Sequence, residues 1–210
     1  MDDEEPGTSP HIDVRAVSVE DAAVLRTLDY GFETDRIYTL RVQGRLEQND
    51  AQPLVGMERP TLAFELLETP VEPPFYKQYG EFARTLAEAE TLVRQSEGGY
   101  IAHADGQVAG AVLLSVEASR AVARIEHIIV GRQFRRYGIG SLLLNCAADW
   151  ARNNGCWAIL LEIENVNYPA IQFYLRNGLE VWSINRHFYP PGPFEHEVAI
   201  FMGKKVRTAR

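Results

Sequence analysis

The chain has 210 residues, of which 46% are hydrophobic and 24% are charged, and this composition is typical of a globular protein with a sizeable core. The formal net charge of −8 disfavours nonspecific binding to nucleic acid or anionic lipid and favours a cationic partner. Two cysteines, Cys146 and Cys156, are too few for a disulfide framework, and no apolar run approaches the roughly 20 residues that span a bilayer. We therefore expect a cytoplasmic protein with no nucleic-acid or membrane partner and no metal site.

The first part of the chain is acidic. Residues 1–10, "MDDEEPGTSP", predict a disordered tail, and residues 11–210 predict a single domain. Carboxylates are frequent up to about residue 100, whereas basic residues gather around Arg132, Arg135 and Arg136. This asymmetry is more informative than the net charge, and the alternative is that most of these charges individually belong to an ordinary solvated surface.

The elements of the N-terminal half begin with a strand and a helix. "HIDVRAV" (11–17) alternates like a strand, and residues 18–32 predict a helix that opens with Ser18 and Asp21 at capping-box spacing. The other predicted elements of this half are a strand pair at 36–43 and 61–69, a stiff Pro-containing connector at 70–80, and a helix at 81–99 that ends in glycine.

The C-terminal half begins with three strands. Residues 100–117 predict a hairpin with a tight turn at Asp105 and Gly106, and 121–131 predict a third strand, so we expect an antiparallel meander. An apolar stripe from Ile139 to Ala151 predicts a buried helix before a buried strand. That order requires a parallel strand pair in a mixed sheet, an α/β fold of the α+β type. The later elements are the strand at 156–164, a short helix at 169–178, and closing strands at 179–184 and 196–206.

The segment "RRYGIG" (135–140) carries the most specific chemistry. Gly138 and Gly140 fall between a strand and a helix, where backbone N–H groups are unpaired and the helix dipole is positive. Two arginines precede them, so the segment predicts a site for phosphate or pyrophosphate. The alternative is that a tight turn alone requires the glycines. No G-K-[ST] follows, which excludes a P-loop.

Three separated motifs resemble the acetyl-CoA signature of the GNAT acyltransferase superfamily: "RRYGIG", the "LLEIE" strand, and "NVNYPAIQFYLRNGLE" (165–180). Within it, "IEHIIV" (125–130), "LDYGFETDRIY" (28–38) and "VEPPFYK" (71–77) are similar to streptothricin (nourseothricin) acetyltransferases. Leu179 stands where the superfamily usually has Phe, which we expect to alter packing only. The resemblance implies a GNAT fold, with 11–97 mainly on the substrate side and 98–206 as the acetyl-CoA-binding core.

The resemblance also implies where acetyl-CoA binds as a co-substrate. Its pyrophosphate would lie on the amides of residues 136–141, and its pantetheine between strands 123–130 and 157–164, which splay apart at a bulge in this superfamily. Asn167 would contact the pantetheine arm, cap the short helix, or do both. The implied cofactor-binding residues are Ile128, Ile129, Val130, Arg135, Arg136, Tyr137, Gly138, Ile139, Gly140, Ser141, Asn167 and Tyr174.

Acetylation of an amine requires removal of a proton, because a primary ammonium has a pKa near 10.4. Glu126 is the first candidate base and matches a Glu of the streptothricin enzymes, although it is alternatively a solvated or substrate-binding carboxylate. Glu162 is the rival base or the ammonium-binding group. Strand alternation places His127 on the opposite face from Glu126. By resemblance, Tyr174 hydrogen-bonds the CoA sulfur and acts as general acid, and a backbone N–H near residue 129 or 130 holds the oxyanion.

The acceptor is expected to meet the variable segments 28–45, 71–79 and 186–195, with Asp29, Phe32, Asp35 and Glu162 as the substrate residues. These acidic and aromatic residues suit a cationic small molecule, and the resemblance favours a streptothricin-like antibiotic, with antibiotic resistance as the role. The alternatives are a polyamine, a protein or peptide amine, or a non-catalytic acyl-CoA-binding regulatory domain. Both a monomer and a homodimer remain open.

Overall fold

The structure, a computed structural model, describes residues 9–44, 62–78 and 85–206. Most of the predicted tail at 1–10 and the first residues of the predicted helix at 81–99 lie outside these ranges. The strands are β1 (Ile12–Ala16), β2 (Phe32–Gly44), β3 (Leu62–Lys77), β4 (Gly98–Ala104), β5 (Gln107–Glu117), β6 (Val122–Val130), β7 (Ala158–Glu164), β8 (Glu180–Asn185) and β9 (Ala199–Lys205). The helices are α1 (Ala22–Leu25), α2 (Leu86–Gln95), α3 (Ile139–Asn153) and α4 (Tyr168–Arg176).

A seven-stranded mixed sheet, in the order β1-β4-β5-β6-β7-β9-β8, forms the centre of the domain, and β2 and β3 form a separate two-stranded ribbon. The β4–β5–β6 meander is antiparallel, and β6 and β7 form a parallel pair joined through α3. Asp105 and Gly106 both have positive φ, as a tight two-residue hairpin turn requires. The predicted meander, crossover and mixed sheet are therefore confirmed.

Helices pack on both faces of the sheet. On one face, Leu143, Ala147 and Ala151 of α3 belong to the main apolar core together with inward residues of β4 to β7 and β9. On the other face, α1 and α2 bury Leu25 and Ala89 against residues of β4 and β5. In the part of the chain that the structure describes, no helix has the length and apolar character needed to cross a membrane.

The predicted helix at 18–32 is much shorter than expected. A 3-10 turn at Val19–Asp21 leads into α1, which ends at Leu25. The carboxylate of Asp21 accepts a hydrogen bond from the backbone N–H of Ser18 at 2.8 Å, which confirms one half of the predicted capping box. Further along the predicted helix, Asp29 accepts from the N–H of Gly31 at 2.9 Å, so a local turn stands there instead of helical hydrogen bonding.

The predicted connector at 70–80 is wrong for most of its length, because β3 continues to Lys77. A register shift between Thr34 and Arg36 of β2 places Thr34 opposite Phe75 and Arg36 opposite Pro70. Pro73 and Pro74 lie within this irregularity and have no partner in the ladder, where a proline could not donate the N–H that strand pairing uses. The extended ribbon carries Phe32 and Lys77 to the side of the main sheet.

Candidate active site

A cleft opens where the parallel pair separates. Pairing between β6 and β7 stops after Arg124, which lies opposite Leu160, and the two strands then diverge. The space between them, about 1210 Å³, is bordered by the N-terminus of α3 and by α4. The backbone of β6 beyond Arg124 is thus outside the ladder with β7, which exposes its polar groups to a ligand.

A β-bulge in β6 shapes one wall of this cleft. His127 pairs with Leu113 and Ile125 pairs with Leu114, so Glu126 is the extra residue between them. Because the bulge interrupts alternation, Glu126 and His127 both line the cleft. The prediction that His127 lies on the opposite face is therefore wrong, and burial lowers the pKa of its imidazole.

The two glycines of the "RRYGIG" segment serve different structural needs. Gly138, the N-cap of α3, has φ +82, and a Cβ there would meet open space. At Gly140 a Cβ would lie 2.9 Å from the Cζ of Phe173, so this glycine lets the Phe173 ring of α4 approach. Gly138 has no capping side chain, so the first N–H groups of α3 remain available at the cleft.

Positive charge surrounds this helix end. Arg132, Arg135, Arg136 and Arg176 all line the cleft. The Nε of Arg135 donates to the carbonyl of Val130 at 3.2 Å, which fixes its side chain beside the strand end. The N-terminal amides, the helix dipole and these guanidinium groups together favour an anion of the diphosphate type.

Helix α4 presents Asn167 and Tyr174 to the cleft. The side chain of Asn167 accepts from the N–H of Ala170 at 3.2 Å and so caps the helix. Tyr174 is buried, and this burial, together with the nearby charges of Glu164 and Glu162, raises its pKa above the ordinary value. The hydroxyl therefore keeps its proton and can donate it.

The opposite end of the cleft is acidic, and its two candidate bases differ. Glu126 accepts from the hydroxyl of Ser115 at 2.6 Å and lies 3.4 Å from the Nε of Arg124. Glu162 accepts from the hydroxyl of Tyr189. Burial raises the pKa of Glu162, and the hydrogen bond from Tyr189 acts in the opposite direction. Glu126 is thus held by a hydroxyl and a guanidinium group, whereas Glu162 is a largely buried carboxylate whose pKa is raised by that burial.

Most of the predicted site residues come together here. All predicted cofactor-binding residues except Tyr137 line the cleft, as do Glu126, Glu162 and Phe32. Tyr137 is 49% exposed. Asp29 instead bonds the backbone of Gly31, and the exposed Asp35 lies 3.7 Å from Arg36 outside the cleft.

Sequence reasoning missed several cleft residues. Phe134 and Phe173 line the cleft without having been predicted, whereas Tyr30 and Glu33, which also line it, lie within the predicted acceptor segment 28–45. Tyr189, whose hydroxyl donates to Glu162, was predicted only as part of the acceptor segment 186–195. Motif spacing marks residues of α3 and α4, but nothing local marks a tyrosine in a Pro-rich loop that bonds a strand 27 residues away.

The chain matches the acetyltransferase (GNAT) family over residues 63–179, which is more than half of its length. This protein therefore belongs to the GNAT acetyltransferase family, and it is an acetyl-CoA-dependent acetyltransferase. The match begins in β3, upstream of the predicted acetyl-CoA-binding core at 98–206.

Comparison with individual proteins gives a more specific likeness than the family match. The chain is 30% identical to the streptothricin acetyltransferase of Streptomyces lavendulae over 90% of this chain and 92% of that protein. The crystal structure of a nourseothricin acetyltransferase superposes with a TM-score of 0.74 and 26% identity, over 95% of this chain and all of the other. A Bacillus anthracis protein described as a candidate streptothricin acetyltransferase, solved in complex with acetyl coenzyme A, has a TM-score of 0.70 and 21% identity over 93% and 99% of the two chains. The last comparison supports the fold alone.

Proposed function

We propose that the protein transfers an acetyl group from acetyl-CoA to a primary amine of a cationic small molecule, with a streptothricin-like antibiotic as the favoured acceptor. The observation that carries the proposal is the charge division of the cleft. Arginines and helix amides lie at one end, and Glu126, Glu162 and Glu164 lie at the other. An anionic donor and a cationic acceptor would thus each meet the opposite charge.

The residues present fit acetyl-CoA. Gly138 leaves open space where a side chain would stand, and the first amides of α3 face that space. Arg135 and Arg136 supply positive charge beside it. When bound, acetyl-CoA supplies an acetyl group activated as a thioester. These residues would hold its diphosphate, and the separated strands β6 and β7 would hold the arm that carries the thioester.

We assign the proton-accepting role to Glu162 and acceptor binding to Glu126. An ammonium with a pKa near 10.4 gives up its proton more readily to a carboxylate whose own pKa is raised, as burial raises that of Glu162. Tyr189 occupies Oε1 of Glu162, which leaves Oε2 to the incoming amine. Ser115 and Arg124 both meet Glu126 at Oε1, which leaves Oε2 of this carboxylate for a second cationic group.

Tyr174 supplies the proton on the donor side. Its raised pKa keeps the hydroxyl protonated, and it lines the cleft on the same helix as Asn167. A donor there can protonate the departing sulfur, which contributes about 10²- to 10⁴-fold in comparable general-acid steps. Phe32 of the ribbon adds an apolar wall to the cleft.

The relatives support the choice of acceptor, because the likeness to the Streptomyces lavendulae streptothricin acetyltransferase extends over 90% of this chain and so includes the ribbon and β8. The test is release of thiol from acetyl-CoA by the purified protein with streptothricin, spermidine, an aminoglycoside and a short peptide. We expect turnover with streptothricin and weaker or no turnover with the peptide. Turnover with the peptide alone would overturn the proposed acceptor class.

A further inference from the structure

The loop between β8 and β9, residues 186–198, is held against the acceptor end of the cleft, and we call it the β8–β9 loop. Near its end, the N–H of Val198 donates to Oδ1 of Asn165 at 2.7 Å, and the N–H of Asn165 donates to the carbonyl of Val198 at 2.9 Å. Asn165 follows directly after β7, the strand that carries Glu162. The end of the loop is therefore tied to the same strand as the candidate base.

A buried ion pair fixes the loop a second time. The Nζ of Lys77, at the end of β3, lies 2.6 and 2.7 Å from the two carboxylate oxygens of Glu197 and 3.6 Å from Glu164. The ring of Phe194 covers the same ammonium at 4.6 Å. Both Lys77 and Glu197 are buried, so the ribbon and the loop are joined where water has little access.

Tyr189 is the loop residue that reaches the cleft chemistry. Its hydroxyl donates to Oε1 of Glu162, and its ring packs edge-on against Phe188, with centroids 5.3 Å apart. Phe188 in turn packs on Phe201, the β9 residue that lies opposite Glu162. Tyr189 does not line the cleft itself, so it acts on Glu162 without occupying the place of a substrate.

We propose that Tyr189 is a positioning residue that orients Glu162 and keeps it in the proton-accepting form. This inference rests on the proposed function, because it assigns a role within the same site. The hydrogen bond fixes Oε1, so Oε2 is the oxygen directed to the acceptor. A donated hydrogen bond also stabilises a carboxylate over a carboxylic acid, which opposes the effect of burial.

The protonation states agree with this assignment. Burial first, and then the hydrogen bond to Glu162, raise the pKa of Tyr189, so its hydroxyl keeps the proton that it donates. The charged or titratable groups that face Glu162 are Tyr189 and Glu197 of the β8–β9 loop, Glu164 of β7, Arg124 of β6 and Tyr174 of α4. Of the two that favour its ionised form, Tyr189 has the larger effect and Arg124 the smaller.

The test is the pH dependence of kcat/KM for the Tyr189→Phe variant, measured with the acceptor that the wild-type protein turns over. Without the hydroxyl, Glu162 ionises less readily, so the acid limb of the profile should move to higher pH. We expect kcat/KM to fall about tenfold at the acid end, the scale of a hydrogen bond to a charged group, with little change at the alkaline plateau. The phenylalanine ring retains the packing on Phe188.

Tyr168→Phe is the matched control. Tyr168 also donates to a carboxylate, that of Glu68 at 3.0 Å, but this pair is exposed and outside the cleft. Its pH profile should superpose on that of the wild type. A Tyr189→Phe profile that keeps the wild-type acid limb, or falls equally at every pH, would overturn the proposal.

A direct titration separates this inference from the proposed function. In protein labelled with ¹³C at glutamate carboxyl groups, the Glu162 signal is assigned by its loss in Glu162→Gln. The midpoint of that signal should rise in Tyr189→Phe whether or not any tested amine is turned over. If no cationic amine reacts but the midpoint rises, the acceptor class fails and the role of Tyr189 stands. If the midpoint is unchanged, the role of Tyr189 fails.

Discussion

The two ends of the cleft are built in different ways. The donor end comes mainly from one continuous stretch, β6 through the start of α3, and uses backbone amides, a glycine with positive φ and neighbouring arginines. The acceptor end is assembled from the ribbon, β6, β7 and the β8–β9 loop, and it depends on side chains that pair across long separations, such as Lys77 with Glu197. A motif in one continuous stretch can bind the cofactor that a whole family shares. Acceptor selection can instead be divided among separate elements, each of which can change without the others.

Replacing the buried Lys77 should produce the largest effect on stability. It tests how much the acceptor end depends on ion pairs between residues that are distant in the sequence. Lys77→Met leaves Glu197 buried beside Glu164 without its ammonium partner, so we expect the free energy of unfolding to fall by about 3–5 kcal/mol. Chemical denaturation at neutral pH measures it. Arg36→Met is the control, because the Arg36–Glu68 pair of the same ribbon is exposed, and a median exposed pair contributes about 0–1 kcal/mol. Equal losses would contradict the role of the buried pair.

Removing one hydroxyl from α4 should affect catalysis and leave donor binding intact. For Tyr174→Phe we expect kcat to fall by at least about 10²-fold, because a positioned general acid contributes on that scale. The KM for acetyl-CoA should remain within a factor of about three, since the amides and arginines that hold the diphosphate are unchanged. Steady-state kinetics with both substrates varied provides the comparison. A variant with wild-type kcat would remove Tyr174 from the chemistry.

A pair of glycine variants separates backbone strain from donor binding. Gly138 and Gly106 have φ of +82 and +78, and a Cβ at either position would meet open space. Alanine at each should cost about 1–2 kcal/mol of stability, because both backbones are left-handed. We expect only Gly138→Ala to raise the KM for acetyl-CoA, by about tenfold, since Gly106 lies in the distal β4–β5 turn. Equal KM values in the two variants would contradict the diphosphate site.

The smallest effect should distinguish two neighbouring acidic residues of the ribbon. Glu33 lines the cleft 3.7 Å from Arg132, whereas Asp35 lies outside it. Because Glu33 is exposed and Arg132 already offsets part of its charge, Glu33→Gln should raise the acceptor KM only about two- to fivefold. Asp35→Asn should leave it unchanged. A larger rise in acceptor KM for Asp35→Asn than for Glu33→Gln would favour Asp35 over Glu33 as the residue that binds the acceptor.

The donor end could be predicted from the sequence because its signal is local. The glycines, arginines and apolar stripe between residues 135 and 151 specify a turn, a helix and the face that it buries. The short helix with Asn167 and Tyr174 is equally contiguous, and the structure places both at the cleft.

The acceptor end could not be predicted in the same way. The bulge at Glu126 depends on how β5 and β6 align, so strand alternation assigned His127 to the wrong face. Asp29 and Asp35 are acidic and lie close to the cleft residues in sequence. In the structure, however, Asp29 accepts from the N–H of Gly31, and Asp35 lies beside Arg36. The Lys77–Glu197 pair joins residues 120 positions apart, and no local sequence pattern indicates such a contact.

The most direct test of the central claim compares two acceptors of equal size. One is a diamine, and in the other the second amine is replaced by a methyl group. If the acidic end of the cleft binds a second cationic group as well as the reacting amine, kcat/KM should favour the diamine by at least about tenfold at low ionic strength. Added salt should reduce this preference. Equal kcat/KM values for the two acceptors at every salt concentration would contradict the account.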